Sequence, residues 1–259
     1  MKIACFNING VKARLPRLLE WLDDAAPDVA CLQEIKSVDE NFPRLEFEDR
    51  GWHVATHGQK GFNGVAILAR SPISDVVEGL PGDADDTQAR YIEATVDGIR
   101  VAALYLPNGN PAPGEKFDYK LAWMDRLNAH ARDLLATERS VVLAGDFNVI
   151  PEPEDCHDPK AWQDDALFRP ESRAKFRELL YQGWTDAIRQ IHPAEEIFTF
   201  WDYQAGAWQR DNGIRIDHLL LSPQAADRLK DAGVDKATRG QDKASDHAPV
   251  WVELDTGKA

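Results

Sequence analysis

Residues 141–151 read VVLAGDFNVIP. Val141 to Ala144 form a short apolar run of the kind a strand covered on both faces shows. The run stops at Gly145 and Asp146, and Asn148 follows two residues later. Side chains alternate along an extended chain, so Asp146 and Asn148 share one side. A buried carboxylate must pair, coordinate a metal or stay wet. Chemistry in open sheets tends to collect just past the carboxyl ends of strands. Gly-Asp and Asn are also turn formers, so the stretch alone supports a turn and a site equally.

Similar apolar runs recur at 3–6, 29–32, 53–56, 65–69, 92–96, 101–104, 214–221 and 250–254, with Gly, Pro and Asp turns between them. Leu15, Leu18, Leu19 and Leu22 fall at helical spacing and predict a helix over 11–25. Phe117, Leu121, Met124, Leu127, Ala131 and Leu134 predict a long one, and Phe176, Leu179 and Leu180 one that begins near Pro170. Many strands and few helices predict an α/β chain whose sheets pack on each other with helices outside. IACFNIN and LAGDFNV both carry an apolar strand into Phe-Asn, an echo that suggests halves related by a pseudo-twofold axis. The polar stretch 152–169 holds Trp162 and Phe168 and reads as a structured loop, so residues 1–259 are expected to form one domain.

No run of about 18 apolar residues exists, so no membrane-spanning helix is expected. The N-terminal apolar stretch is too short for a signal peptide. Three cysteines cannot build a disulfide framework. Cys5 and Cys31 lie in strand patterns as inert core residues, and a reducing cytoplasm fits the chain best. The net charge of −14 argues against a generic nucleic-acid coat. It is compatible with a local basic face, or with a metal supplying positive charge where phosphate binds.

The runs end alike. Asn7 follows the first, Glu34 the second, Asp146 and Asn148 the run at 141–144. Asp217 interrupts the run at 214–221, and Ser245-Asp246-His247 precedes the last. Each has an ordinary explanation: Asn7 can cap the next helix, Glu34 can pair with Lys36, Asp217 with Arg215, and His247 can be a packed histidine. Together they form an oxygen-rich set that converges if the sheets stack. Carboxylate and amide oxygens suit a hard cation such as Mg²⁺ or Mn²⁺. No HExxH, GxSxG or phosphate-binding lysine loop occurs. What remains is metal-assisted hydrolysis of a phosphoester.

The stretches FNINGVKARL, CLQEIK, HGQKGFNGVAIL, LYLPNGN, LAGDFNV, FTFWDY, GIRIDHLLLS and SDHAPV run in order over nearly the whole chain. In them the sequence resembles the exonuclease III branch of the endonuclease/exonuclease/phosphatase superfamily. The resemblance implies a four-layer α/β sandwich, two mixed central β-sheets flanked by helices. It implies Mg²⁺-dependent cleavage 5′ to abasic sites in double-stranded DNA, 3′→5′ exonuclease action and cleaning of blocked 3′ ends, by a monomer. Glu34 would hold the metal, helped by Asn7 and Asp246. Asp146 would orient and deprotonate water, with Asn148 beside it, both near the metal. Tyr105 would touch the scissile phosphate or assist the leaving oxygen, and Asn108 would hydrogen-bond the DNA. Lys36 and Arg90 are candidate phosphate contacts. Neighbours on an extended chain point to opposite sides, so Asp246 is poorly placed to orient His247. Asp217 is the family's candidate and would favour the imidazolium. Phe200, Ile214 and Ile216 would line a small apolar pocket for a flipped-out abasic sugar. Two positions depart from animal relatives: Asn9 replaces an Asp and Ile214 a large aromatic.

Two other readings fit the same residues: a superfamily phosphatase acting on a small phosphorylated ligand or lipid head group, and a catalytically silent DNA-binding protein on this fold.

Overall fold

A computed structural model of the chain describes residues 1–257. The first sheet contains β1 (Lys2–Asn7), β2 (Val29–Gln33), β3 (His53–His57) and β4 (Val65–Ala69). The second contains β5 (Ile73–Glu78), β6 (Tyr91–Val96), β7 (Ile99–Tyr105), β8 (Val141–Asp146), β9 (Thr185–Asp186) and β10 (Asp217–Leu221). The chain then returns to the first sheet with β11 (Leu229–Val234) and β12 (Val250–Leu254). The spatial orders are β11-β12-β1-β2-β4-β3 and β5-β6-β7-β8-β10-β9. In each order the third and fourth strands are parallel and every other neighbour is antiparallel. The two sheets therefore repeat one topology, as pseudo-twofold halves require.

The parallel pairs need helical crossovers. Helix α1 (Val11–Ala25) connects β1 to β2, and, after the short α2 (Arg44–Glu48), helix α3 (Glu115–Ala136) connects β7 to β8. Helix α1 buries Leu18, Trp21 and Leu22 against the outer face of the first sheet. Helix α3 buries Trp123, Met124, Leu127 and Ala131, and with α4 (Pro170–Gln182) covers the second sheet. Between the sheets lies a third apolar layer that includes Ile3, Cys5, Val142, Ala144, Leu219 and Leu221. The result is a four-layer α/β sandwich. Short helices α5 (Ala187–Ile191) and α6 (Pro223–Ala226) fill the connections around β10.

Three sequence expectations need correction. The strand expected over 214–221 begins only at Asp217. Residues 214–216 are extended, but their backbone groups bond elsewhere: Ile214 pairs with Phe200, Arg215 N donates to Asp155 O and Ile216 N to Thr199 Oγ1. Asp217 does not pair with Arg215, whose buried guanidinium instead meets Asp155 at 2.7 Å and Asp186 at 2.8 Å. Asn7 does not cap α1; Gly10 occupies the cap position and no side chain bonds there.

Gly145 answers part of the question raised by the Gly-Asp pair. A Cβ at this position would sit 2.0 Å from Leu104 O, so the β7–β8 contact excludes any side chain.

His218, on the outward face of β10, carries a testable consequence. It packs against Phe147 and Phe176. Arg215 Nη1 donates to its Nδ1 at 3.0 Å, and its Nε2 donates to Val149 O at 3.0 Å. A guanidinium only donates, so the ring is neutral with the proton on Nε2. Burial and then the Arg215 charge push its pKa from 6.5 down to about 4; the Asp186 and Asp155 carboxylates oppose the shift. The unfolded chain takes up this proton near pH 6.5 and the folded chain only near pH 4. Stability present above pH 6.5 is therefore lost as pH falls through that interval, by about 2 kcal/mol at pH 5. Urea unfolding of the parent and of His218→Gln at pH 7.5 and 5.0 checks this. The parent is expected to lose about 2 kcal/mol more than the variant; equal losses would contradict it.

Candidate active site

The inward stripes of four strands each start apolar and end polar. Ile3 and Cys5 lead to Asn7, Val29 and Cys31 to Gln33, Val101 and Ala103 to Tyr105, and Val142 and Ala144 to Asp146. β10 runs antiparallel to β8, so its first residue, Asp217, pairs with Asp146 in register. β12 runs antiparallel to β1, which brings the preceding Asp246 and His247 to the same end. Strand direction alone therefore gathers the polar residues at one mouth of the sandwich.

Asn7 ties the two sheets together there. Its Nδ2 donates to Glu34 Oε1 at 2.9 Å and to Asp146 Oδ2 at 3.0 Å. Its Oδ1 accepts from Asn9 N at 3.0 Å, and Ser245 Oγ donates to its backbone oxygen at 2.6 Å. Glu34 Oε2 pairs with Lys36 Nζ at 2.9 Å, and the same ammonium donates to Asn9 Oδ1 at 2.5 Å. Asn9 Nδ2 donates to Asp246 Oδ1 at 3.1 Å. Asp246 thus turns toward the first sheet while its neighbour His247 turns to the second. His247 Nδ1 meets Asp217 Oδ2 at 2.8 Å, and its Nε2 lies 3.8 Å from Asp146 Oδ2.

Asp146 is held from below. Asn148 N donates to Asp146 Oδ1 at 2.9 Å. The Asn148 amide donates to Leu106 O at 2.9 Å and accepts from Asn108 Nδ2 at 3.2 Å. Asn9, Glu34, Lys36 and Asn148 all adopt positive φ, between 47° and 51°. Four such non-glycine residues around one mouth mark a backbone over-determined by its surroundings, as functional sites are.

The electrostatics divide the acids by task. Burial raises the Glu34 pKa, but hydrogen bonds from Asn7 and Lys36 outweigh it and hold the carboxyl below its usual value. Glu34 is therefore a fixed negative charge. Burial and then the adjacent Asp217 push Asp146 up to about 7, so its carboxylate is basic enough to accept a proton near neutrality. Burial opposes the His247 imidazolium, but Asp217 prevails and raises the pKa to about 10. Burial, with Glu34 and Asp146 nearby, raises the Tyr105 phenol well above 10, so Tyr105 stays neutral and keeps a proton to donate.

The remaining candidates lie close by. The Arg90 guanidinium stacks 4.9 Å from the Tyr105 ring centre and is aimed by Gln88 Oε1 at 2.8 Å. The Phe200 ring meets His247 edge to face with centres 5.0 Å apart. Ile214 and Ile216 are buried in one apolar cluster with Ile150, Cys156, Leu167 and Phe168, and Phe200 and Trp162 pack against it. Asn108 is exposed at the mouth, its Nδ2 donating to Asn148 Oδ1 at 3.2 Å and its Oδ1 accepting from Asn110 Nδ2 at 2.9 Å. Sequence reasoning passed over Gln88, Thr199, Ser245 and Lys120. Lys120 alone left a signal, as a cation on the apolar face of a helix.

The donor set fits a hard divalent cation. Glu34, Asp146 and Asp217 form an acidic centre lined with oxygen atoms. Donor atoms of Asp146, Asp217 and His247 lie within 4.8 Å of one another. Asp217 Oδ1 is buried without a hydrogen-bond partner among the described residues. Because His247 Nδ1 is engaged by Asp217, the side bounded by Glu34, Asn7 and Asp146 suits a cation better.

Comparison with known proteins agrees with this geometry. Residues 4–247 match the model of the Endonuclease/Exonuclease/phosphatase family. An exodeoxyribonuclease III from Haemophilus influenzae is 35% identical, over 98% of this chain and 100% of its own. An AP endonuclease structure from Archaeoglobus fulgidus superposes with a TM-score of 0.95 at 38% identity, covering 99% of this chain and 100% of that one. The 3′ phosphatase NExo from Neisseria, bound to a product DNA hairpin, superposes with a TM-score of 0.96 at 43% identity, covering 98% and 99%. The chain belongs to the endonuclease/exonuclease/phosphatase family and is a hydrolase of phosphate esters.

Proposed function

We propose that this chain is a DNA-repair phosphodiesterase acting as a single-domain monomer in the cytoplasm. It cleaves 5′ to abasic sites in duplex DNA, degrades 3′ ends and removes blocking groups from them. The observation that carries this reading is the buried line Asp217–His247–Asp146, a proton donor facing a basic carboxylate across 3.8 Å. The names of the relatives add DNA as substrate. Among the described residues no helix is long and apolar enough to cross a membrane.

Asp146 orients a water through one carboxylate oxygen and takes its proton, while Asn148 N fixes the other oxygen. His247, kept charged by Asp217, donates to a phosphate oxygen as negative charge develops there. Tyr105 donates beside it to the phosphate or the leaving oxygen. Glu34, Asn7, Asp146, Asn148 and Asp246 are the residues that would hold Mg²⁺ or Mn²⁺. Bound there, the cation supplies Lewis-acid stabilisation of the phosphate. Lys36 and Arg90 steady neighbouring phosphates, with Asn108 supporting Asn148. Phe200, Ile214 and Ile216 form an apolar wall against which an unstacked sugar lacking its base would rest.

Turnover of four substrates with Mg²⁺ tests the reading: a duplex with one abasic site, a duplex with a 3′-phosphate, an inositol phosphate and sphingomyelin. Cleavage of the two DNAs is expected, with the last two hydrolysed at least about 10³-fold more slowly, as differential binding of the wrong substrate requires. Preference for inositol phosphate or sphingomyelin would replace this reading with the phosphatase one. Binding of duplex without cleavage would leave a silent DNA-binding protein.

A further inference from the structure

We infer that Lys120 is a positioning residue for the reaction, fixing Asn148 and Asn108 through their backbone carbonyls; the inference rests on the nuclease reading above. Lys120 lies three residues after Phe117 and four before Met124, on the buried face of α3, and is itself 0% exposed. The polar end of a lysine is costly to bury unless its donors are used. Its Nζ donates to Asn108 O at 3.1 Å and to Asn148 O at 2.5 Å. Both acceptors belong to residues that hold Asp146 from below.

Asn148 sits at φ 47°, a conformation that non-glycine residues rarely keep unaided. Lys120 Nζ grips it on the C-terminal side, and Asp146 Oδ1 grips its N–H on the other. Its amide is spanned by Leu106 and Asn108. Lys120 thus completes a frame in which the hydrogen bond that orients the Asp146 carboxylate cannot swing away. The loop is built around the lysine stem. Gly109 has φ +89°, and a Cβ there would sit 2.6 Å from Lys120 Cδ. The frame continues outward from Asn108 Oδ1 to Asn110 Nδ2 and from there to Asp165 Oδ1.

Lys120→Met keeps the stem and removes the donors. Turnover of a 3′-recessed duplex is measured well below the melting temperature of each variant. A misplaced reacting group lowers kcat, so a loss of about 10–100-fold in kcat is expected with KM changed less than about threefold. In an Asp146→Ala background the same substitution should lower kcat less than about threefold, because the carboxylate that the frame orients is gone. Unchanged kcat, or a double variant showing the full product of both losses, would overturn the inference. If Lys120→Met does not fold, Lys120→Leu, which also lacks a donor, enters the same cycle with the same criteria. A parent protein that cleaves no DNA would defeat the nuclease reading and the inference with it. An active parent with an unaffected variant would defeat the inference alone.

Discussion

Asp146→Asn and His247→Asn are each expected to slow DNA cleavage by about 10²–10⁴-fold or more, while duplex affinity changes far less. The Asp146 carboxylate is the one group in the mouth that burial and Asp217 leave basic near neutrality, and an amide cannot take the proton of water. His247 is the one protonated ring beside it. Because base and donor serve one step, the double variant should lose less than the product of the two single losses. Stability should move the other way for Asp146→Asn. A carboxyl whose pKa is raised in the folded state costs stability once ionised, so removing its charge should hold or raise the melting temperature. Single-turnover rates, duplex binding and thermal melting measured on the same preparations separate these outcomes. A product-sized loss in the double variant would contradict a shared role, and a large fall in melting temperature would make Asp146 a structural residue.

The central strands were legible because each carries an unbroken or alternating apolar stripe. The polar residue at the end of each stripe was legible for the same reason, as a break in the pattern. Elements without that signal were not. β5 is an edge strand with most of its residues exposed and a register shift between Ser74 and Val77. β11 reads LKDAGV, β9 has two residues and α5 five. The three strands are held largely by backbone pairing to neighbours, and α5 is too short to show a period although it buries Ala187 and Ile188. The stretch 214–216 misled in the opposite sense. Its Ile-Arg-Ile alternation suits a strand, but its backbone is claimed by Phe200, Asp155 and Thr199, so regular pairing starts only at Asp217.

In the site, side chains anchored to strand ends could be read from spacing. Their partners could not. Nothing in the sequence says that Gln88 aims Arg90, that Ser245 holds the Asn7 carbonyl or that Thr199 takes the amides of Ile216 and Asp217. Apart from Gln88–Arg90, these contacts join residues far apart in the chain. Adjacent residues of an extended chain face opposite ways, a rule that set Asp246 aside as the partner of His247, and the family resemblance supplied Asp217. The structure has Asp246 bonded to Asn9 and Asp217 bonded to His247.

The acidic centre also makes metal removal a large effect. Glu34, Asp146 and Asp217, only partly offset by Lys36 and His247, would repel a phosphodiester unless a cation screened them. Lewis-acid stabilisation of the developing charge contributes several kcal/mol, and each 1.36 kcal/mol is tenfold in rate. Chelation should therefore suppress cleavage by about 10³-fold or more, and Mg²⁺ or Mn²⁺ should restore it. Nicking of a duplex with a single abasic site, before and after exhaustive chelation and again after adding back Mg²⁺, tests the account most directly. The expected result is loss of nicking in chelator and recovery with the cation, with Asp146→Asn inactive throughout. Full nicking in chelator, or undiminished nicking by Asp146→Asn, would contradict it.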